Sequence, residues 1–166
     1  MALLRRYGIQ LVADVRSVPR SRRNPQFNRD SLPATLAEAG LRYAHMPELG
    51  GFRRPRPDSP NTGWKDESFR GFADYMQTDE FRAAMDKLIA VARGDRTAIL
   101  CAEAVPWRCH RSLIADALVF DGIPVDDILD LDHSRPHRPT PFAVRHGTRV
   151  IYPEQSTVDP APGKGV

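Results

Sequence analysis

Residues 96–118 constrain the fold most strongly, because their pattern changes from that of a buried strand to that of a helix within a few residues. Residues 97–101 form a short apolar run of the kind that parallel sheets bury. Pro106 cannot continue a central strand, so the chain turns there. From residue 109 onward, apolar side chains recur at helical spacing. We therefore predict a strand, a loop and a helix, with Glu103 near the carboxyl end of the strand.

The first turn of the predicted helix carries a thiol, an imidazole and a guanidinium, on Cys109, His110 and Arg111. A helix start has unpaired N–H groups and the positive end of the helix dipole, so it attracts anions. In open α/β sheets, ligands bind in the crevice outside the carboxyl ends of the strands. These three residues are therefore predicted to belong to a functional site.

The rest of the chain alternates between strand-like and helix-like patterns. Apolar runs predict strands at residues 9–15, 41–46, 124–131 and 148–152, and amphipathic patterns predict helices at residues 3–7, 31–39, 67–76 and 79–94. Such alternation predicts an α/β fold, a Rossmann-like three-layer domain with a mostly parallel sheet and flanking helices. We expect one such domain over residues 1–152 and a disordered tail at residues 153–166.

Polar residues also follow the first two predicted strands. Asp14 and Arg16 end the first strand, before a basic loop, and His45 ends the second, before a pair of glycines. Paired glycines there permit either close approach of a ligand or a tight turn. Because carboxyl ends of parallel strands meet at one edge, we expect these residues to converge. The predicted residues for binding substrate or phosphate are Arg16, Ser21, Arg22, His45, Gly50, Gly51 and Arg111.

The charge is distributed unevenly, although the net charge is only +3. Residues 15–29 contain several arginines and no acidic residue, and residues 133–149 carry only basic charges. Arginine recognises phosphate or carboxylate in a bidentate manner. A GC-rich genome accounts for the arginine total, but it accounts less well for arginines clustered beside strand ends. We therefore expect a phosphate-bearing small molecule or a nucleic acid as the partner.

Nothing in the sequence indicates a membrane or an oxidising compartment. No apolar run approaches membrane-spanning length, and the first residues lack the apolar core and cleavage site of a signal peptide. Two cysteines do not make a disulfide framework, so both are expected to be thiols. We predict a cytoplasmic protein without a cofactor, and its oligomeric state has no signature in the sequence.

The chain resembles the domain-of-unknown-function family 488 in three motifs taken together. They read Asp14-Val15-Arg16-Ser17-x-Pro19-x-Ser21-Arg22, Leu49-Gly50-Gly51 and Leu100-Cys101-Ala102-Glu103-x-x-Pro106-x-x-Cys109-His110-Arg111. The resemblance implies a Rossmann-like α/β domain with polar motif residues at one end of the sheet, but no reaction. Members usually begin with a strand reading roughly Thr-Ile-Gly-His-Ser, which is missing here. We expect its absence to leave a hydrophobic slot and to destabilise or inactivate the chain.

The two cysteines admit several interpretations. Cys109 would have a depressed pKa if exposed, which suits a nucleophile or a sulfur carrier, but it could equally be a small buried side chain. Cys101 lies in the strand and is more simply a buried thiol. With His110, the two cysteines could contribute to a zinc site, but their spacing is not a Cys-x-x-Cys knuckle. Since no second pair exists, no metal is predicted.

Asp14 and Glu103 are the candidates for acid–base chemistry, although each could instead form a structural ion pair with a nearby arginine. The favoured hypothesis is an enzyme acting on a nucleotide, or on a nucleic-acid end or base, with Cys109 and His110 assisting catalysis. The first alternative is a non-catalytic module that binds nucleotide or nucleic acid through the same cleft. The second is a thiol-dependent redox or sulfur-transfer protein.

Overall fold

The computed structural model describes residues 1–154, so most of the predicted tail, residues 155–166, lies outside the described residues. At the centre is a parallel sheet of three strands, β1 (Leu11–Asp14), β2 (Arg42–His45) and β3 (Thr97–Leu100), in the spatial order β2-β1-β3. Asp14 lies opposite His45 on one side and Leu100 on the other. The carboxyl ends of the three strands therefore meet, and we call the place marked by these three residues the carboxyl edge.

Side chains of β1 alternate between two apolar layers, because successive residues of a strand point to opposite faces. Leu11 and Ala13 face a buried cluster formed mainly by α3 (Glu67–Tyr75), α4 (Asp79–Gly94) and α5 (Arg111–Phe120). Val12 faces a smaller cluster that includes residues of α1 (Ala2–Arg6) and α2 (Leu32–Glu38). The predicted α/β class is confirmed: helices flank both faces of a parallel sheet.

Side-chain caps determine where α3 and α4 begin. Asp66 accepts hydrogen bonds from the backbone N–H groups of Ser68 and Phe69 at 2.8 and 3.1 Å, and Thr78 Oγ1 accepts one from Phe81 at 3.2 Å. Such caps satisfy N–H groups that have no partner within the first helical turn. No helix within residues 1–154 is long and apolar enough to cross a membrane.

After α5 the chain forms two small antiparallel hairpins that lie outside the parallel sheet. The paired strands are β4 (Asp126–Ile128) with β5 (Ser134–Pro136), and β6 (Val144–His146) with β7 (Arg149–Ile151). The strands predicted at residues 124–131 and 148–152 are therefore present in shortened form. Both pair within hairpins, because each has an antiparallel neighbour nearby in the sequence.

A buried hydrogen-bond network fixes this C-terminal segment to the helices. Asp116, fully buried in α5, accepts a hydrogen bond from the Tyr152 hydroxyl at 2.9 Å, and its Oδ1 lies 2.8 Å from His137 Nε2. The Tyr152 N–H donates to Asn61 Oδ1 at 2.9 Å, and the Asn61 amide donates to Asp74 of α3 at 2.8 Å. Buried polar groups of this kind are tolerated because each has hydrogen-bond partners.

A groove of about 1560 Å³ runs along the free edge of β3. It is bordered by α4 and α5 on one side and by α1 and α2 on the other, with Leu4, Ile89 and Ile128 among its apolar lining residues. Among residues 1–154, β3 pairs only with β1, so its other edge faces this groove, and all four of its residues are half-buried.

Candidate functional site

The end of β1 holds a buried ion pair between Asp14 and Arg16. Asp14 Oδ1 accepts hydrogen bonds from the Arg16 backbone N–H at 3.1 Å and from its Nε at 2.8 Å. Asp14 Oδ2 accepts one from Arg16 Nη2 at 2.5 Å and one from the Tyr43 hydroxyl at 2.8 Å. Asp14 is 0% and Arg16 only 9% exposed. Both oxygens of this carboxylate are therefore hydrogen-bonded within the protein.

These contacts determine the protonation states of Asp14 and Tyr43 at neutral pH. Burial raises the pKa of the Asp14 carboxyl, but the hydrogen bonds from Arg16 and Tyr43 outweigh burial and hold the pKa below its usual range. Burial, together with the bond to Asp14, raises the pKa of Tyr43 to about 12. Asp14 is therefore ionised, and Tyr43 is a protonated donor to it.

Arg16 also anchors the basic loop that follows β1. Its Nη2 donates to the Phe27 carbonyl at 2.8 Å, and the Ser21 N–H donates to Asn28 Oδ1 at 2.6 Å. The Ser21 hydroxyl accepts a hydrogen bond from the Asn24 N–H at 3.0 Å. Ser21, a predicted phosphate-binding residue, thus holds the loop together. The loop also carries four exposed guanidinium groups without partners among residues 1–154, on Arg20, Arg22, Arg23 and Arg29.

The end of β2 packs closely against this loop and against His110. His45 Nε2 lies 2.9 Å from the Arg16 carbonyl. A Cβ added to Gly50 would lie 2.1 Å from Ser17 Oγ, and one added to Gly51 would lie 2.5 Å from His110 Nδ1. Real Cβ atoms do not approach other atoms so closely, so both positions need glycine for contact between loops. Neither glycine has a positive φ.

The end of β3 brings two sulfurs and an imidazole together. His110 Nδ1 lies 3.9 Å from Cys101 Sγ and 3.6 Å from Cys109 Sγ. The 3₁₀ turn Pro106–Arg108 precedes Cys109, and α5 begins only at Arg111. The prediction that Cys109 and His110 lie within the first helical turn is therefore wrong, because the 3₁₀ turn delays the helix. We call Cys101, Cys109 and His110 the thiol cluster.

The two thiols differ sharply in acidity. A hydrogen bond from Cys101, supplemented by Arg111, lowers the pKa of Cys109 to about 6 despite burial. The same sulfur–sulfur contact, together with burial, raises the pKa of Cys101 to about 12. Cys109 is therefore the thiolate of the pair, although it is only 3% exposed.

Arg111 braces the loop between β3 and α5. Its Nε donates to Cys109 Sγ at 3.4 Å, and its Nη2 donates to the Glu103 backbone carbonyl. The Glu103 side chain is exposed, and its carboxylate has no partner among the described residues. Asp14 and Glu103, the two predicted acid–base residues, thus have opposite environments: the first is buried and fully bonded, and the second is free.

Two contact networks meet at the carboxyl edge. One contains Asp14, Arg16 and His45, and the other contains the thiol cluster with Arg111 and Gly51. The hydrogen bond to Asp14 is the main cause that raises the pKa of Arg16, and Cys101 is near enough to add to that shift. The predicted residues at the three strand ends are thus adjacent, whereas Arg22 and Glu103 project from the flanking loops.

Sequence reasoning did not identify three exposed aromatic residues, one in each loop that follows a strand of the sheet. Phe27 follows β1 and is 43% exposed, Phe52 follows β2 and is 84% exposed, and Trp107 follows β3 and is 55% exposed. We call them the edge aromatics. Phe27 is tied to Arg16 through its carbonyl, and the guanidinium of Arg135 lies 5.1 Å from the Trp107 ring centre. The sequence signal that could have identified them is a large aromatic side chain within an otherwise polar loop.

A protein-family model matches most of the chain. The family model described as "Domain of unknown function DUF488" matches residues 1–118. This range includes all three strands of the sheet, the edge aromatics and the thiol cluster. No curated protein and no solved structure matches the chain.

Proposed function

We propose that the chain, which belongs to the DUF488 family, is an enzyme acting on a nucleotide or on a phosphate-bearing nucleic-acid substrate. The domain that this family shares has no assigned function. The substrate would bind at the carboxyl edge. The observation that carries this proposal is the presence of the edge aromatics on all three loops of an edge that also carries unpaired arginines.

The edge aromatics supply what recognition of a nucleobase requires. Aromatic side chains stack on bases with a contribution of about 1–3 kcal/mol per base, and this interaction tolerates any base. The Phe52 ring, which is 84% exposed, buries little surface within the folded chain and is available for stacking. The position of the edge aromatics in three separate loops around one edge favours contact with more than one face or base of a ligand.

The loop after β1 supplies phosphate recognition. The guanidinium groups of Arg20, Arg22 and Arg23 are exposed and, among residues 1–154, have no acidic partner. Guanidinium binds phosphate through two parallel hydrogen bonds, and such contacts account for much of nucleic-acid affinity. The buried pair of Arg16 and Asp14 holds this loop against the sheet, which positions the exposed arginines without contacting the ligand itself.

Glu103 is the acid–base group in this proposal. Its carboxylate is free, stands in the loop directly after β3, and is attached to Arg111 through its own backbone carbonyl. A general acid or base must be able to reach the reacting atom, and Glu103 meets that condition. Asp14 instead acts as a positioning residue, because both of its oxygens are bonded to Arg16 and Tyr43.

A non-catalytic module that binds nucleotide or nucleic acid is the second candidate. The saturation of Asp14 favours it, because a binding module needs the edge aromatics and arginines but no free acid–base pair. The thiol-dependent alternative ranks third, since the thiolate of Cys109 is only 3% exposed and a buried sulfur is a poor nucleophile towards an external substrate.

Binding is tested with a fluorescently labelled single-stranded oligonucleotide, whose anisotropy is followed as the full chain is added at several salt concentrations. Arg22→Ala should weaken binding and reduce the slope of log affinity against log salt by about 1. Arg93→Ala is the matched control, because this exposed arginine lies in the last turn of α4, which leads into the amino end of β3 rather than its carboxyl end. Equal effects of the two substitutions, or no binding of any oligonucleotide or nucleotide, would contradict the proposal.

Catalysis is tested on the ligands that bind. Glu103→Gln should stop turnover while leaving their affinity unchanged, and Glu38→Gln, an exposed acid at the end of α2, should change neither. Ligands that bind at the carboxyl edge but are never converted would replace the enzyme proposal by the binding module.

A further inference from the structure

We propose that the thiol cluster is a metal site, in which Cys101 Sγ, Cys109 Sγ and His110 Nδ1 bind one Zn²⁺ ion. This inference is independent of the proposed function, because it concerns only the three side chains and their geometry. The ligand atoms all lie within 4.8 Å of one another. It also departs from the sequence-based expectation that no metal binds.

The two sulfur–nitrogen distances within the cluster are those of ligands in a zinc tetrahedron. Zinc bonds of about 2.3 Å to sulfur and about 2.0–2.1 Å to nitrogen place a sulfur and a nitrogen ligand about 3.6 Å apart. The observed separations from His110 Nδ1 are 3.6 Å to Cys109 Sγ and 3.9 Å to Cys101 Sγ. The two sulfur–nitrogen separations therefore match those of a tetrahedral site to within a few tenths of an ångström, and the two sulfurs lie within 4.8 Å of each other.

The separation of the two cysteines in the sequence is compatible with such a site. A Cys-x-x-Cys knuckle brings two sulfurs together within one turn, whereas Cys101 and Cys109 are separated by eight positions. The 3₁₀ turn Pro106–Arg108 folds the intervening loop so that Cys109 returns to the end of β3. The fold thus brings the two cysteines together although the sequence contains no Cys-x-x-Cys motif.

The surroundings hold the imidazole in a fixed place. The Phe72 and His110 ring centres are 5.0 Å apart, and the Gly51 backbone packs so closely on the Nδ1, Cγ and Cε1 atoms of the His110 ring that an added Cβ would lie 2.5 Å from Nδ1. His110 Nε2 is buried and has no hydrogen-bond partner among residues 1–154. Packing by Phe72 and Gly51, together with the contacts of Nδ1 with the two sulfurs, therefore holds the ring in place.

Arg111 contacts one of the proposed metal ligands rather than the metal position itself. Its Nε donates to Cys109 Sγ at 3.4 Å, and hydrogen bonds to a zinc-bound thiolate orient the ligand and moderate its charge. Three protein ligands leave one tetrahedral position for water or a substrate atom, as in catalytic zinc sites. Soft thiolate ligands select zinc over magnesium or calcium, so the ion we infer is thiophilic.

The test uses the full chain, reduced and stripped of metal with a chelator, with both thiols counted by a thiol reagent before titration. Added Co²⁺ should give visible d–d bands of a tetrahedral ion and sulfur-to-cobalt charge-transfer bands at one ion per chain. Zn²⁺ should displace the Co²⁺ and raise the melting temperature. No nucleotide or substrate is present in this experiment, so a failure to bind metal would not contradict the proposed function.

Variants separate a specific site from incidental binding. Cys101→Ser, Cys109→Ser and His110→Asn should each lower zinc affinity by more than about 100-fold, since even outer-shell changes at zinc sites cost about 10–100-fold. His146→Asn, at an exposed histidine of β6, should retain full affinity. Circular dichroism of each metal-free variant checks that it is folded, and zinc should no longer raise the melting temperature of His110→Asn.

Two results would overturn the proposal. One is the absence of charge-transfer bands and of stoichiometric zinc binding while both thiols are reduced. The other is binding by His110→Asn and Cys109→Ser with the affinity of the unaltered chain, which would place the metal elsewhere.

Discussion

Arg16 turns back on the strand that precedes it and binds the carboxylate of Asp14 through Nε, Nη2 and its own backbone N–H. Through Nη2 it also reaches the Phe27 carbonyl, eleven residues further along the chain. One guanidinium therefore connects the buried end of β1 with the far side of the basic loop. The order of that loop, and the exposure of its arginines, depend on this pair.

Asp14→Asn should strongly destabilise the fold. The substitution leaves the Arg16 guanidinium buried beside a neutral group, and removal of one member of a buried ion pair costs about 3–5 kcal/mol. Urea unfolding measures the change. Asp58→Asn, which removes the partner of Arg56 in a fully exposed pair, should have a negligible effect. Comparable losses in the two variants would show that the Asp14 pair is no more important than a surface pair.

The contribution of His137 to the stability of the fold should decrease as pH rises above about 6.5, the usual pKa of histidine. Burial lowers the pKa of His137, but the hydrogen bonds and charges of Asp116 and Asp127 outweigh burial and raise it. A group with a raised folded-state pKa stabilises fully below its unfolded pKa and loses that contribution as pH passes the folded value. The difference in free energy of unfolding between the unaltered chain and His137→Gln should shrink across this range, whereas the difference between the unaltered chain and His146→Gln should stay constant.

Gly50→Ala should destabilise the chain by about 1–3 kcal/mol, the usual cost of overpacking. The new Cβ would meet Ser17 Oγ at 2.1 Å and the Pro47 carbonyl at 2.9 Å. Ser17→Ala in the same chain should recover part of the loss, because it removes the nearest atom. Gly94→Ala is the control: nothing lies within 4 Å of its added Cβ. A Gly50→Ala chain as stable as Gly94→Ala would refute the close contact between the loops.

Phe52→Ala should reduce oligonucleotide affinity without changing stability. The ring is 84% exposed, so its removal loses little packing, whereas loss of one stacked base costs about 1–3 kcal/mol of binding. Anisotropy titrations and thermal melts measure the two quantities. Leu131→Ala, at an exposed apolar residue after β4, should change neither of them. A drop in melting temperature for Phe52→Ala would assign the ring a structural role instead.

The strands and the longer helices were predictable because their signals are local. The buried run before Asp14 and the stripe of α4 follow directly from periods of two and 3.6 residues. Convergence of Asp14, His45 and Cys101 followed from parallel pairing alone. The start of α5 was placed too early, because a 3₁₀ turn and an α-helix share the same apolar pattern near residue 109.

Long-range partners could not be predicted from the sequence. The bond between Tyr152 and Asp116 joins residues 36 positions apart, and Asn61 meets Tyr152 across 91 positions. Tyr43 has the pattern of an ordinary strand residue, yet its hydroxyl donates to Asp14. The parallel register places Tyr43 opposite Val12, which is two residues before Asp14 and on the same face of the sheet. The thiol cluster likewise depends on how the loop after β3 folds, which no spacing rule specifies.

The two tryptophans permit the most direct test of ligand binding at the carboxyl edge. Trp107 is an exposed edge aromatic, whereas Trp64 packs against Phe69 and Tyr152 with its indole nitrogen buried. Two-dimensional NMR of the ¹⁵N-labelled chain resolves one indole N–H signal for each. As a nucleotide or a short single strand is added, the account predicts a saturable shift of the Trp107 signal and a constant Trp64 signal. A constant Trp107 signal with a ligand that demonstrably binds would place the binding site elsewhere and contradict the account.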